Sequence, residues 1–445
     1  LRRLEYMSQI VNENPLQSDD ASTDLQPSPA VAAVAAMADR ARLASRVLAR
    51  ADRNWKDRAL LAIATALDEK RAYVIAENAK DIESGRANGT SQAMLDRLRL
   101  TNERVDGLIS ALEELAGLPD PVGTVLRGQT LPNGLRLRQV HVPMGVIGAI
   151  YEARPNVTVD IAGLALKSGN AVLLRGGSAA AESNKALLGL IRDALESVGL
   201  PADSVTSVDA YGREGADAMM GARGKIDVLI PRGGRELIQR VLTTASVPVI
   251  ETGEGNVHIY LDESADAQMA VPILLNAKTQ RPSVCNTVET LLINAKAAAA
   301  PQVLAALAKA GVTLHADERA VALAGEIPTV AATAADWDTE YMDLDLSVAI
   351  VDDLDGAISH IRAHSTGHTE AILTNNLAHA ERFIAEVDSA AVIVNASTRF
   401  TDGGQLGLGA EVGISTQKMH ARGPMGLREL TTTKWIVQGD GHVRS

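Results

Sequence analysis

Between residues 145 and 394, short apolar runs alternate with stretches of helical period, and that alternation leaves few architectures open. Strands are predicted over 145–150, 171–175, 205–208, 228–230 and 247–250, with helices over 157–166, 182–198, 215–220 and 235–243. Consecutive β-α-β units lay their strands parallel and cover the sheet with helices on both faces. A second α/β unit follows. It has helices over 267–278, 302–310, 354–363 and 378–387 and strands over 287–293, 347–351, 371–373 and 391–394.

The flanks read differently. Residues 1–28 are polar and lack an apolar period, which predicts a disordered tail. From Pro29 to Leu118 the pattern is helical: Val47, Leu48, Ala51, Trp55, Leu60, Ile63, Ala64 and Leu67 recur at helical spacing. Gly117, Pro119, Pro121 and Gly123 end the run. Asn133-Gly134 between the alternating segments 124–131 and 135–142 predicts a hairpin. A final strand is expected over 434–438. It must pair with that hairpin or with a neighbouring subunit, because a lone strand is not stable.

Composition narrows the function classes. With 445 residues, more than one domain is expected. A net charge of -12 repels phosphate backbones and anionic lipid, so neither nucleic acid nor membrane is an expected partner. Aromatic residues at 2% leave too few stacking platforms for single-stranded nucleic acid. No apolar run is long enough to suggest a membrane span, and no apolar core follows Arg2 and Arg3 as a signal peptide requires. A single cysteine allows no internal disulfide and no multi-thiolate metal site, which predicts a reducing, cytoplasmic setting.

Five segments could carry chemistry. Arg281-Pro282-Ser283-Val284-Cys285-Asn286 lies between a helix and a strand, where a thiolate could face a cleft with its pKa lowered by a cation such as Arg281. The alternative is a buried cysteine acting as a small apolar residue. Tyr151 to Asn156 follows a strand; Asn156 could donate to an oxyanion or cap the helix expected from Val157. Leu174-Arg175-Gly176-Gly177-Ser178 is either a plain tight turn or a phosphate-approaching loop, with Arg175 able to pair with a ribose 2′-phosphate. Ile230 to Arg235 is a junction of the same kind. Glu251, after the last expected strand of the first unit, is either a general base or a structural carboxylate. His315, His360, His364, His368 and His420 show no ligand spacing and read as surface or loop residues, so no metal is expected.

Taken together, these segments resemble the aldehyde dehydrogenase superfamily, and within it the glutamate-5-semialdehyde dehydrogenase family. The match also rests on Leu166-Lys167-Ser168-Gly169-Asn170, Val394 to Phe400 and Ile414 to Lys418, and runs over residues 30–440. The resemblance implies two Rossmann-like α/β domains with mostly parallel sheets plus a small β oligomerisation flap. It assigns 29–123 and 143–255 to a cofactor-binding domain, 256–400 to a catalytic domain, and 124–142 and 405–445 to oligomerisation segments. It implies Cys285 as nucleophile and Asn156 as oxyanion donor. Arg175, Gly176, Gly177, Ser178, Pro231, Gly233, Gly234 and Glu340 match the positions that meet NADP(H). Arg154, Arg281 and Arg399 are candidates for the substrate's phosphate and carboxylate, with exposed surface arginines as the alternative.

The implied reaction is NADPH-dependent reduction of L-glutamyl 5-phosphate in proline biosynthesis, by a homo-oligomer that could meet glutamate 5-kinase transiently. A hydrolytic aldehyde dehydrogenase and a non-catalytic partner of that kinase are the competing readings. Glu251-Thr252-Gly253-Glu254 departs from the Glu-Leu-Gly-Gly of oxidising members, and Gln405 to Gly409 carries leucines where aromatic residues are expected.

Overall fold

The computed structural model describes residues 28–152 and 154–444, so the expected tail lies outside it except for Ser28. Ser28 belongs to the first helix: its hydroxyl accepts from the Val31 N–H, and Pro29 takes the first helical position, where no N–H is needed. Helices Pro29–Leu48, Arg53–Glu69, Arg71–Ala87, Gln92–Leu98 and Asn102–Gly117 fill the predicted helical region. Val34, Leu48, Leu60, Ile63, Leu67, Leu108 and Leu112 share one core with the first sheet.

That sheet has four parallel strands in the order Val205–Ser207, Ala171–Arg175, Val146–Tyr151, Val228–Arg232. The fifth expected strand, 247–250, does not form. Only one bridge joins Val249 to Leu229, with Leu229 N–H donating to the Pro248 carbonyl and Ile250 N–H to the Leu229 carbonyl. Prolines stop the ladder on both sides, since neither Pro248 nor Pro231 has an N–H to donate. Where the ladder would continue, the Thr252 hydroxyl bonds the Pro231 carbonyl instead.

The second sheet has seven strands, all parallel. In spatial order they are Val330–Ala331, Thr313–Ala316, Asp345–Val351, Val288–Asn294, Val257–Leu261, Thr369–Leu373 and Ala391–Val394. Alternation divides its faces: Ile259, Leu261, Leu291 and Ile293 join one core, while Tyr260, Leu292, Ile372 and Phe383 join the other. The pattern reading missed Val257–Leu261, Thr313–Ala316, Val330–Ala331 and the helix Glu318–Ala324. Val257–Leu261 carries a polar residue at its second position. His258 is tolerated there, fully buried, because its backbone N–H and its ring Nδ1 meet Glu370 on the adjacent strand.

Val125–Thr130, Arg136–Pro143 and Thr431–Gln438 form a separate antiparallel sheet. Of the two partners open to the final strand, the hairpin is the one it takes. Preceding residues 412–430, grouped by sequence with the oligomerisation segment, bury Val412, Ala421, Met425, Leu427 and Leu430 in the core of the first unit. Among the described residues no helix is long and apolar enough to cross a membrane.

Candidate active site

Chain order in the first sheet reverses beside Val146–Tyr151, where loops leaving the carboxyl ends of neighbouring strands diverge and open a crevice. Three of the singled-out segments leave from there. After Tyr151 comes the helix Pro155–Lys167. It begins earlier than the pattern suggested, so Asn156 is its second residue and the capping reading of Asn156 is wrong. Arg154 holds the cap position, without a side-chain capping bond. Within the first turn, Asn156 Nδ2 donates to Asp160 Oδ2 at 3.0 Å. One amide hydrogen is thereby held and the other is aimed by it. Burial pushes Asp160 up to about 6, against the opposing pull of the Asn156 bond and of Arg232.

At the end of Ala171–Arg175, the Gly176 N–H donates to Asp209 Oδ1 at 2.7 Å. A side chain on Gly176 would meet Asn184 Nδ2 at 2.1 Å, so anything larger than glycine in this turn requires the Asn184 side chain to move. Arg175 makes one long bond, from Nε to the Gly212 carbonyl at 3.4 Å, and Ser178 is exposed. Beyond Val228–Arg232, Gly234 caps the helix Arg235–Thr244, and its N–H donates to Glu152 Oε2 at 3.1 Å. A side chain on Gly233 would strike the same carboxylate at 2.6 Å. Two glycine turns, each with a backbone N–H directed at an anion, suit the phosphates of a dinucleotide.

The Cys285 loop faces these turns from the second unit. Thr287 closes it, bonding the Arg281 carbonyl through its hydroxyl at 2.8 Å. Asn286 stitches it to a distant segment: its Nδ2 donates to the Thr401 carbonyl at 2.8 Å and its own carbonyl accepts from the Thr398 hydroxyl at 2.7 Å. That stitching carries Arg399 to the thiol, and Arg154 feels the thiol as well. Arg281 acts on both of those arginines. Arg154 and Arg399 thus act on the thiol and Arg281 acts on them. Arg154 and Arg281 are exposed, as the surface alternative allows, and Arg399 is half-buried.

The thiol is half-buried, and burial pushes it up to about 11. This corrects the expectation of a depressed pKa. The cation that opposes the shift is Arg232, not Arg281, while Glu411 and Glu340 reinforce it. Arg232 ends a strand quoted from the sequence, yet only its neighbours Pro231, Gly233 and Gly234 had been singled out. Glu411, whose Oε2 accepts from the Gly403 N–H at 2.7 Å, carried no motif signal. Glu340 Oε1 accepts from the Gly255 N–H at 3.0 Å. Glu251 belongs elsewhere electrostatically, with Gln417 and Glu254 as its partners.

Among the described residues no group of three or more His, Cys, Asp or Glu is placed to hold a metal ion. The surface-or-loop reading of the histidines needs correcting at three positions. His368 is fully buried, and burial pushes it down to about 4. His360 is a half-buried residue of the helix Leu354–His364 that burial pushes down to about 3. His315 sits on the strand Thr313–Ala316 with Nε2 2.8 Å from Asp345 Oδ1.

The aldehyde dehydrogenase family matches residues 9–333. The γ-glutamyl phosphate reductase of Kineococcus radiotolerans is 58% identical over 416 residues, covering 93% of this chain and 96% of that protein. The Leifsonia xyli protein of the same name is 60% identical over 407 residues, covering 91% and 96%. A crystal structure of γ-glutamyl phosphate reductase from Thermotoga maritima superimposes with a TM-score of 0.90 at 48% identity, covering 93% of this chain and 100% of that one. The chain belongs to the aldehyde dehydrogenase family, in its glutamate-5-semialdehyde dehydrogenase (γ-glutamyl phosphate reductase) branch.

Proposed function

We propose that the chain reduces L-glutamyl 5-phosphate to L-glutamate 5-semialdehyde with NADPH, releasing phosphate through a thioester on Cys285, as a step of proline biosynthesis. The observation that carries this reading is that Arg154, Arg232 and Arg399 each interact electrostatically with one thiol, with Arg281 acting on Arg154 and Arg399, in a protein of net charge -12. An acyl phosphate that also bears a carboxylate is a substrate such a cleft suits.

Cys285 Sγ, as thiolate, adds to the acyl carbon. The free hydrogen of the Asn156 amide and the Cys285 backbone N–H donate to the oxyanion, an interaction worth about 3 kcal/mol per donor in comparable sites. The carbon–oxygen bond to phosphate then breaks, phosphate leaves among the arginines, and the acyl group stays on sulfur. When bound, the nicotinamide cofactor supplies the hydride. Arg175, Gly176, Gly177 and Ser178 would meet its adenosine side, Pro231, Gly233 and Gly234 its pyrophosphate, and Glu340 its nicotinamide ribose. Arg175, with only one weak bond of its own, is the residue on which NADP preference rests.

The antiparallel sheet leaves Val125, Leu126, Trp435 and Val437 half-exposed, which supports its use as a homo-oligomer contact. A reducing cytoplasm suits a free nucleophilic thiol, and transient docking of glutamate 5-kinase would pass on a labile acyl phosphate.

The test runs the reaction backwards. NADP+ reduction by glutamate 5-semialdehyde should require inorganic phosphate and vanish in Cys285→Ala. Vigorous turnover without phosphate would replace this reading with a hydrolytic one.

A further inference from the structure

The tightest approach at any described glycine lies behind the thiol. A side chain on Gly255 would sit 1.6 Å from the Cys285 carbonyl oxygen and 2.8 Å from its Cα. The blocking atoms are backbone, so no rotamer change relieves the clash. Gly255 lies outside the left-handed region, where other glycines of this chain such as Gly145 and Gly413 fall, so its conformation would accept alanine. Contact alone excludes it.

The segment that carries Gly255 is pinned on both sides. Glu340 holds the Gly255 N–H. The Thr366 hydroxyl donates to the Glu254 carbonyl at 2.6 Å and accepts from the Asn256 N–H at 3.1 Å. Asn256, nearly fully buried, spends its amide on the carbonyls of Trp337 at 2.7 Å and His364 at 2.8 Å. A strap leaving the first unit is thus anchored to two segments of the second, 337–340 and 364–366, and pressed against the backbone of the reactive cysteine.

We propose that Gly255 and Thr366 are positioning residues for Cys285, the glycine as the backstop for its backbone and the threonine as the clasp that keeps the backstop in place. This rests on the reading of Cys285 as nucleophile. The same backbone carries the N–H assigned to the oxyanion, so a displaced strap would misplace attacking atom and donor together. Misplacement by about 1 Å can cost on the order of a hundredfold in rate.

Gly255→Ala, Thr366→Val and Thr366→Ser separate positioning from general fold support. Gly255→Ala should lower kcat a hundredfold or more with KM for NADP+ within threefold of the parent. Thr366→Val, nearly isosteric, loses both hydroxyl bonds and should lower kcat five- to tenfold; Thr366→Ser keeps them and should return to within twofold. Iodoacetamide reads the only thiol directly. Its rate against pH should shift in Gly255→Ala and Thr366→Val, with the melting temperature of Thr366→Val staying near the parent's. A parental kcat and alkylation profile in Thr366→Val would overturn the proposal, as would an unaffected Gly255→Ala beside an inactive Cys285→Ala. An active Cys285→Ala would overturn this proposal and the nucleophile reading together. If Gly255→Ala does not fold, the Thr366 pair decides.

Discussion

Along the first sheet the backbone donors already hold carboxylates, Glu152 on Gly234 and Asp209 on Gly176, whereas around Cys285 the arginines hold none. Ion pairs elsewhere engage Arg42, Arg71, Arg382 and Arg422. Among the described residues Arg154, Arg232 and Arg281 make no side-chain hydrogen bond or ion pair, and Arg399 bonds only the neutral Gln280, at 3.0 Å. An anion arriving on the first side must displace a carboxylate. One arriving on the second meets cations without a carboxylate partner, of which Arg154, itself exposed, is pushed down by desolvation first and then by neighbouring arginines. The first side is built for exchange and the second for capture.

Removing the proposed oxyanion donor should have the largest effect. Asn156→Ala is expected to cost about 10² to 10³ in kcat with little change in KM, by steady-state kinetics in the reverse direction. A loss confined to KM would move Asn156 from the reaction to simple binding.

Arg232→Gln tests the capture side. KM for phosphate should rise roughly tenfold or more. Arg232 also opposes the upward shift of the thiol, so its loss should raise the Cys285 pKa further. In the unliganded parent, alkylation should climb about tenfold per pH unit from 7 to 10, because a thiol at about 11 is barely ionised there. A plateau near pH 8 would contradict the buried thiol. Arg232→Gln should slow alkylation at every pH in that range.

Asp160 links the two sides. Its pKa is raised, so its protonated form is favoured by the fold. That stabilising contribution is full below the ordinary 3.8 and lost as pH rises through about 6. At pH 7 the ion is held at a cost, and Asp160→Asn should gain on the order of 1 kcal/mol in thermal stability. Catalysis should show the opposite sign. Below about pH 6 the amide of Asn156 loses its charged acceptor, and kcat should fall; Asp160→Asn should flatten that limb.

The smallest effect belongs to the exchange side. Glu152→Gln weakens the carboxylate that competes at Gly234, and NADP+ should bind about two- to fivefold tighter by fluorescence titration, the scale of one charge at a helix N-terminus. Weaker binding would recast Glu152 as a support for the loop.

Asp160 shows how near the site came to being legible. It lies four residues after Asn156, a spacing at which helix side chains meet, but only if the helix already includes Asn156. Starting the helix at Val157 hid the pair, because Pro155 reads as a breaker before it reads as a first helical residue. Arg232 was hidden by its position on a strand end, where sequence shows a basic residue but not which neighbours it faces. Val257–Leu261 was hidden because its polar second residue, His258, is balanced only by Glu370, far along the chain.

By itself the sequence determined what local period can determine: helices first, a hairpin, then two runs of parallel β-α-β, with Cys285 in a loop between a helix and a strand and Asn156 shortly after a strand. Periodicity is a property of neighbours, so it survives without knowledge of the fold. Only the tertiary structure decided the charge around the thiol, the proton it keeps, and the glycine that presses against its backbone. Desolvation and Coulomb energy depend on groups that meet through space, and Gly255 and Cys285 meet only after both units have folded.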